Sequence, residues 1–484
     1  MSSWSDFRRE QILVGGRWTS ADNGGTLDVI DPASGEIIGT VPDAGAAETR
    51  RAIDAAAAAF VGFSQTTAAA RARILRDLST ALRDNQDALA ELLTREQGKP
   101  LAEARAEIET GAAYIQWFAE EARRTYGDTI PSPWADRRIM VTKSPVGVVG
   151  AITPWNFPSS MLARKIGPAL ASGCTVVAKP ASQTPFSALA WGVLAEQVGV
   201  PAGVINILTG SAHAIGGELT SNLLVRKITF TGSTDVGKLL LKQAAETVKK
   251  VSMELGGNAP FLVFDDADLE RAVAGAIAAK FRNAGQTCVC TNRLYVQAGI
   301  HDRFLEAFAA ATRNIVVGSG LERGTTLGPL IDEAAVAKVE AFLSDALAKG
   351  ASIITGGRRH STGGRFYEAT VLANANSTMH FARDEIFGPI APVFKFETED
   401  EAVRLANDTQ YGLAAYFYTQ DLGRIFRVSE RLQYGLVGVN EGLITTEVAP
   451  FGGLKESGVG KEGSKYGLDD YLDVKYVCVG GLGL

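Results

Sequence analysis

Three short segments of this 484-residue chain supply a thiol, a carboxylate and an amide. In Phe281-Arg282-Asn283-Ala284-Gly285-Gln286-Thr287-Cys288-Val289-Cys290, Cys288 sits in a Gly/Gln/Thr turn just past an apolar, helix-like stretch, Ala272 to Phe281. Cysteine is the strongest side-chain nucleophile near neutral pH once it is held as thiolate. Upstream, Val251-Ser252-Met253-Glu254-Leu255-Gly256-Gly257-Asn258 puts Glu254 where a strand runs out into glycines. Further upstream, Thr153-Pro154-Trp155-Asn156-Phe157-Pro158 puts the Asn156 amide in a turn. Such a set suits attack on a carbonyl, stabilisation of the oxyanion and hydrolysis of a thioester. Taken singly, each residue has a blander reading: a buried small hydrophobe, a surface charge, a turn residue. No metal is expected, because Cys288-Val289-Cys290 lacks further ligands at zinc spacing.

These groups need rigid elements to carry them. From Ala46 to Arg124 the chain is Ala-rich with apolar positions at helical spacing, broken once at Gly98 and Pro100. From Gly147 short β-branched runs take over: Val176 to Pro180, Val204 to Leu208 and Lys227 to Phe230. Helix-like segments, Ser187 to Gly199 and Val236 to Thr247, separate them. Alternation of this size predicts a parallel sheet covered by helices, with ligands beyond the carboxyl ends of the strands. After Gly256-Gly257 it restarts with Phe261 to Phe264, Leu294 to Val296, Ile353-Ile354, Val393 to Phe396 and Leu436 to Val439, a second α/β domain. Arg138 to Thr142 and Leu472 to Cys478 alternate as strands do but fit neither domain. The latter has nothing after it to cover its edge, and an open edge invites pairing.

Composition fits this picture. The length allows two or three domains with cores of their own. A hydrophobic share of 46% with 21% charged residues is ordinary for a soluble globular protein. A net charge of −6 argues against nucleic acid or an anionic membrane as partner. No run is long and apolar enough to span a bilayer, and the start has no signal-peptide pattern. Four cysteines are too few for a disulfide framework, so the cytoplasm is the expected compartment.

Two glycine motifs compete for a phosphate. Gly458-Val459-Gly460-Lys461-Glu462-Gly463 spells GxGxxG, but Leu454 to Ser457 is no apolar strand, so it reads as a loop. Phe230-Thr231-Gly232-Ser233-Thr234-Asp235-Val236-Gly237 has a strand ahead and a helix behind, and exposes N–H groups at a helix start.

Taken together, the three chemical segments resemble the aldehyde dehydrogenase superfamily. The resemblance runs from Gly15-Gly16-Arg17-Trp18 to Asp470-Tyr471. It is nearest to the succinate-semialdehyde dehydrogenases in Lys179 to Pro185, Phe281 to Cys290 and Glu447 to Gly453. It implies an aldehyde dehydrogenase-like fold: two parallel-sheet α/β domains plus a small β oligomerisation domain. The expected division is 1–124 and 146–254 for cofactor binding, 255–455 for catalysis, and 125–145 and 456–484 for an oligomerisation arm and tail. Cys288 is then the nucleophile, Asn156 the oxyanion donor and Glu254 the base, with Glu462 either a proton-relay residue or a solvated charge. Trp155, Lys179, Ser182, Gly232, Ser233, Gly237, Leu255, Glu385 and Phe387 are expected against the cofactor. A carboxylate at Ser182 would repel a 2′-phosphate and serine does not, so NADP is expected, with NAD also accepted. Arg164 and Arg282 are expected to grip a distal carboxylate. Thr445 stands where the family has a serine, an extra methyl that bears on substrate length.

The expected reaction is oxidation of succinate semialdehyde to succinate, with glutarate semialdehyde or another short semialdehyde as the alternative substrate. A homodimer or homotetramer is expected. Cys290, two residues beyond the nucleophile, is a candidate redox partner that the resemblance extends to a latch. A cysteine hydrolase or acyltransferase would need a histidine base, and His213, His301, His360 and His380 stand in no catalytic wording. Intact Asn156, Glu254 and Cys288 weigh against a non-catalytic binding protein.

Overall fold

In the computed structural model, which describes residues 2–481, the β-branched runs after Gly147 form five parallel strands. Their spatial order is Lys250–Glu254, Val225–Thr231, Val148–Ile152, Thr175–Lys179, Ile205–Ile207. The chain runs outward from Val148–Ile152 to one side, then returns and runs outward to the other. That reversal opens a crevice beyond the carboxyl ends of Val148–Ile152 and Val225–Thr231, where ligands of such sheets sit. Ile12–Val14 and Arg17–Thr19 extend one edge antiparallel. Gly458–Val459 extends the other, pairing with Met253 and Glu254. The start of the expected tail therefore completes the first sheet rather than the arm. The first residue of the expected cofactor-binding part and the last three of the tail lie outside the described residues.

The second sheet has the order Ser352–Thr355, Thr370–Ala373, Ile390–Phe396, Thr291–Gln297, Ala259–Val263, Ala414–Tyr418, Leu436–Val439, parallel except at its Ser352–Thr355 edge. Only Leu255, Gly256, Gly257 and Asn258 separate the last parallel strand of the first sheet from Ala259–Val263. The carboxyl end of one sheet thus meets the amino end of the other. A third, antiparallel sheet joins Leu472–Val479, Arg138–Pro145 and Asp128–Ile130, in register from Leu472 opposite Pro145 to Val479 opposite Arg138. Val474 and Tyr476 on its open edge strand are exposed.

The N-terminal region folds as four α-helices, Ala46–Phe63, Ala68–Asp84, Gln86–Gln97 and Leu101–Glu121, not as two pieces with one break. The additional breaks fall at Thr67, whose hydroxyl accepts from Ala70 N, and at Asn85. Both residue types offer the backbone a local alternative to the helix. Leu101–Glu121 packs against Ala68–Asp84 and Pro158–Ser172. Its buried face, with Ile108, Tyr114, Ile115 and Phe118, joins the core under the first sheet. No helix among the described residues is long and apolar enough to cross a membrane.

Candidate active site

A cavity of about 370 Å³ lies where the two sheets meet. The first sheet lines it with turns at its carboxyl ends: Trp155 and Asn156, Gly232 and Ser233, Leu255 and Gly256. The second sheet lines it with segments that precede its strands: Cys288 ahead of Thr291–Gln297, and Glu385 and Phe387 ahead of Ile390–Phe396. Trp155 and Phe387 meet edge to face at 5.5 Å. Phe387 holds a φ of 54°, and Asn283 and Ala284 near Cys288 hold 51° and 55°. Such strained backbone in non-glycine residues gathers at functional sites. Glu385 accepts from Gly257 N at 3.1 Å, and burial in the cleft pushes its carboxyl up to about 7.

Helix starts around this cavity are unequally occupied. Glu107 accepts from the N–H groups of Ser159 and Ser160, closing the start of Pro158–Ser172. Glu96 accepts from Phe186 and Ser187 and closes Pro185–Gln197 in the same way. The start of Thr234–Ala245 differs: Ser233 makes no capping bond and borders the cavity with Gly232. An anion entering the cavity meets free N–H groups there. Gly237 lies one turn in, where a Cβ would stand 2.3 Å from the Leu255 side chain. Lys179 ends Thr175–Lys179, two strands away from Val225–Thr231, with Ser182 just past it, and neither lines the cavity. Lys179 is buried, donates to Pro180 O at 2.9 Å, and is pushed down to about 8 by desolvation.

Cys288 borders this cavity and a smaller one of about 120 Å³ on its other side. Burial pushes its thiol up to about 12, the Glu385 carboxylate adding to the rise and Arg164 opposing it. The resting group is a thiol, so attack requires a base. Asn156 is 3% exposed; its Nδ2 donates to Gln286 O at 3.0 Å and its Oδ1 has no partner. A Cβ on Gly257 would stand 2.3 Å from the Cys288 carbonyl oxygen, so only glycine lets the two segments touch. Glu254 is 2% exposed, lines neither cavity, and has no hydrogen-bond partner on either oxygen. Burial and the Glu462 charge hold its carboxyl well above the usual range, against Lys165, Lys461 and Arg164.

The smaller cavity is lined by Arg164, Arg282 and Thr445, with Phe157, Met161 and Phe451 among its apolar walls. The Arg164 guanidinium lies 4.7 Å from the Tyr114 ring and 4.5 Å from the Phe451 ring. Its Nε and Nη1 have no hydrogen-bond partner, and Nη1 stands 3.5 Å from Glu462. Arg282 is half-buried and sits over Phe157 at 5.2 Å. Cys290 lines neither cavity: its thiol is free and lies 3.2 Å from Lys280 O and 3.4 Å from Thr291 O, within donating distance of both.

Glu462 is not a solvated charge, since it is 4% exposed and accepts from Lys165 Nζ at 2.7 Å. Lys165 donates also to Thr231 Oγ1 at 2.7 Å. The glycine-rich run around Glu462 is not a plain loop: it opens with the edge strand Gly458–Val459 and is followed by a 3-10 helix, Lys465–Tyr471, with no apolar strand leading in and no α-helix behind. Unexpected from the sequence are Asp332 and Lys338 on the wall of the larger cavity, Glu107 on the wall of the smaller one, and Lys99 and Tyr114 behind them. Gly328 to Asp332 was the one legible signal, a Gly/Pro turn ahead of a helix; Lys338, Glu107 and Tyr114 are ordinary helix residues in the sequence, and Lys99 is an ordinary turn residue between two helices.

A cysteine between a cleft with an uncapped helix start and a pocket lined by two arginines is the arrangement that an enzyme acting on carbonyls through a thiol requires. Residues 18–477 match the model of the aldehyde dehydrogenase family, and the chain belongs to that family. It is 58% identical to succinate-semialdehyde dehydrogenase [NADP(+)] GabD of Escherichia coli strain K12, covering 98% of this chain and 99% of that one. It is 58% identical to glutarate-semialdehyde dehydrogenase of Pseudomonas aeruginosa PAO1, covering 98% of each. The crystal structure of succinate-semialdehyde dehydrogenase from Burkholderia pseudomallei superposes with a TM-score of 0.97 at 59% identity, over 98% of each chain.

Proposed function

We propose that this aldehyde dehydrogenase oxidises succinate semialdehyde to succinate with NADP, accepting NAD as well. The observation that carries the substrate is the small cavity beyond Cys288, lined by both Arg164 and Arg282, where Arg164 keeps two guanidinium nitrogens without a hydrogen bond, one of them 3.5 Å from Glu462. A short chain with an aldehyde at one end and a carboxylate at the other matches a thiol facing two cations. Glutarate semialdehyde is the runner-up, since relatives with either name are equally similar.

The larger cavity fits a dinucleotide by its free helix start and its Trp155–Phe387 walls. Gly232, Ser233 and Gly237 would hold its phosphates, Glu385 its nicotinamide ribose, and Trp155, Leu255 and Phe387 its apolar parts. Lys179 and Ser182 would reach the adenosine ribose, where Ser182 leaves room for a 2′-phosphate. When bound, NADP supplies the acceptor for the hydride.

The chain's own residues do the rest. Cys288 attacks the aldehyde carbon, and the Asn156 amide and the Cys288 N–H stabilise the oxyanion. After oxidation the acyl group remains on sulfur as a thioester. Glu254 then takes a proton from water to hydrolyse it, and takes the thiol proton at the start. Since neither Glu254 oxygen is hydrogen-bonded, its side chain turns toward Cys288 without breaking a bond. Glu462, coupled to it through shared charge, would pass the proton on.

The same reading takes residues 1–124 and 146–254 as the cofactor domain, 255–455 as the catalytic domain, and 125–145 with 456–484 as arm and tail, the tail's Gly458–Val459 strand lying in the sheet of the cofactor domain. The open edge of Leu472–Val479 supports a homodimer or homotetramer, and the enzyme would be cytoplasmic. Growth of absorbance at 340 nm with C3 to C6 semialdehydes and either cofactor tests the proposal. The expected order of kcat/KM is succinate semialdehyde first and NADP over NAD; a longer semialdehyde in first place makes the alternative correct.

A further inference from the structure

Lys99 belongs to the turn between two N-terminal helices, far from either sheet in sequence, yet its ammonium is 0% exposed. It donates to Glu107 Oε2 at 2.6 Å and to the Asn156 carbonyl oxygen at 2.7 Å. A second donor, Asn283 Nδ2, reaches that carbonyl at 3.0 Å and Gln286 O at 3.2 Å. Gln97 Nε2 fixes Asn283 by donating to its Oδ1 at 3.0 Å. The other oxygen of Glu107 receives Ser159 N and Ser160 N, just beyond Asn156. The inter-helix turn from Gln97 to Lys99, with Glu107 behind it, therefore grips the Asn156 to Ser160 segment by its carbonyl and its N–H groups.

We infer that Lys99 and Asn283 are positioning residues for the Asn156 side-chain amide, acting through its peptide carbonyl. This rests on reading Asn156 as the oxyanion donor. The amide works only if it points at the place where negative charge develops, and an error of about 1 Å can cost a hundredfold in rate. One of its N–H groups is already committed to Gln286 O. Asn283 shares that same acceptor, which sets the plane of the Asn156 amide and aims its remaining N–H. A lysine suits the carbonyl because its several donors serve Glu107 and Asn156 together. Burying its charge without Glu107 would be costly.

The test is a double-mutant cycle on the full-length enzyme with succinate semialdehyde and NADP. Lys99→Met is made together with Glu107→Gln, so that no buried charge is left alone, and Asn283→Asp is made separately. The second change keeps the acceptor for Gln97 and removes the donor to Asn156. Each should lower kcat by roughly 10- to 100-fold, while KM, NADP affinity and the rate of Cys288 alkylation by iodoacetamide stay within about twofold. In an Asn156→Ala background the same changes should cost less than about a further twofold, because nothing is left to aim. A full additional loss in that background overturns the inference while leaving Asn156 as oxyanion donor. Loss of NADP affinity and alkylation alongside kcat also overturns it, by making the residues merely structural. If Asn156→Ala itself costs nothing, the oxyanion reading falls and this inference with it.

Discussion

The two large sheets face the same cleft with opposite ends. The first presents the carboxyl ends of its strands, where Asn156, Gly232 and Glu254 stand. The second presents its amino ends: Cys288 and Glu385 both precede the strands they belong to. The usual rule for open α/β sheets locates ligands at carboxyl ends, and it holds for one half of this molecule only. The four-residue link from Glu254 to Ala259 carries the chain straight on from one sheet into the other. A strand that leaves the first sheet at its ligand-binding end enters the second directly, so the second sheet has its amino ends in the cleft. Under the proposed mechanism function divides along the same line: the first sheet would offer a free helix start for an anion, and the second the nucleophile.

That division can be attacked from either side. The largest effect belongs to the second sheet: Cys288→Ala should take aldehyde oxidation below detection while NADP binding, followed by fluorescence titration, stays unchanged. Loss of both together would mean the halves are not separable. Next come the arginines, one from each side of the cleft. Arg164→Met or Arg282→Met should each remove a charge-assisted bond of about 1.5–3 kcal/mol, or about 10- to 100-fold in kcat/KM with succinate semialdehyde. Butanal, which has no carboxylate, should lose far less; equal losses for both aldehydes contradict the clamp. A smaller, selective effect is expected in the first sheet. Ser182→Glu should weaken NADP far more than NAD, and an unchanged cofactor ratio would move the 2′-phosphate elsewhere.

The smallest effect concerns Cys290. Its thiol is within donating distance of Lys280 O and Thr291 O, so a disulfide with Cys288 requires it to leave them, and the resulting small ring would be easily reduced. Mild peroxide followed by a thiol reductant should restore the parent more completely than Cys290→Ala. Equal recovery would leave Cys290 a packing residue.

Much of this was legible in the sequence because it depends on local pattern. Glu254 ends a strand and runs into glycines as read, and Phe230 to Gly237 is a strand–turn–helix. What escaped depends on partners far along the chain. Glu462 looks like a surface charge until Lys165, 297 positions away, is found against it. Lys99 looks like a helix-breaking turn residue until its ammonium is seen on Asn156 O, 57 positions away. Strands Thr370–Ala373 and Ala414–Tyr418 were passed over because their short apolar runs carry no alternation when buried on both faces. The amino-end contribution of the second sheet could not be read from periodicity, which gives an element but not the direction it faces.

The central claim is that a thioester forms on Cys288, from the second sheet, and is hydrolysed by Glu254, from the first. Glu254→Gln mixed rapidly with NADP and succinate semialdehyde tests it most directly. Because burial raises the Glu254 pKa, the group is protonated and idle as a base at low pH and becomes active as pH rises through that raised value. The parent's deacylation rate should therefore climb with pH. The variant, which has lost the base for the thiol as well as for water, should form its first reduced cofactor more slowly than the parent, release no more than one per active site, and then stall at every pH with the acyl group on Cys288 in the mass spectrum. Steady turnover by the variant with the parent's pH dependence would contradict the account.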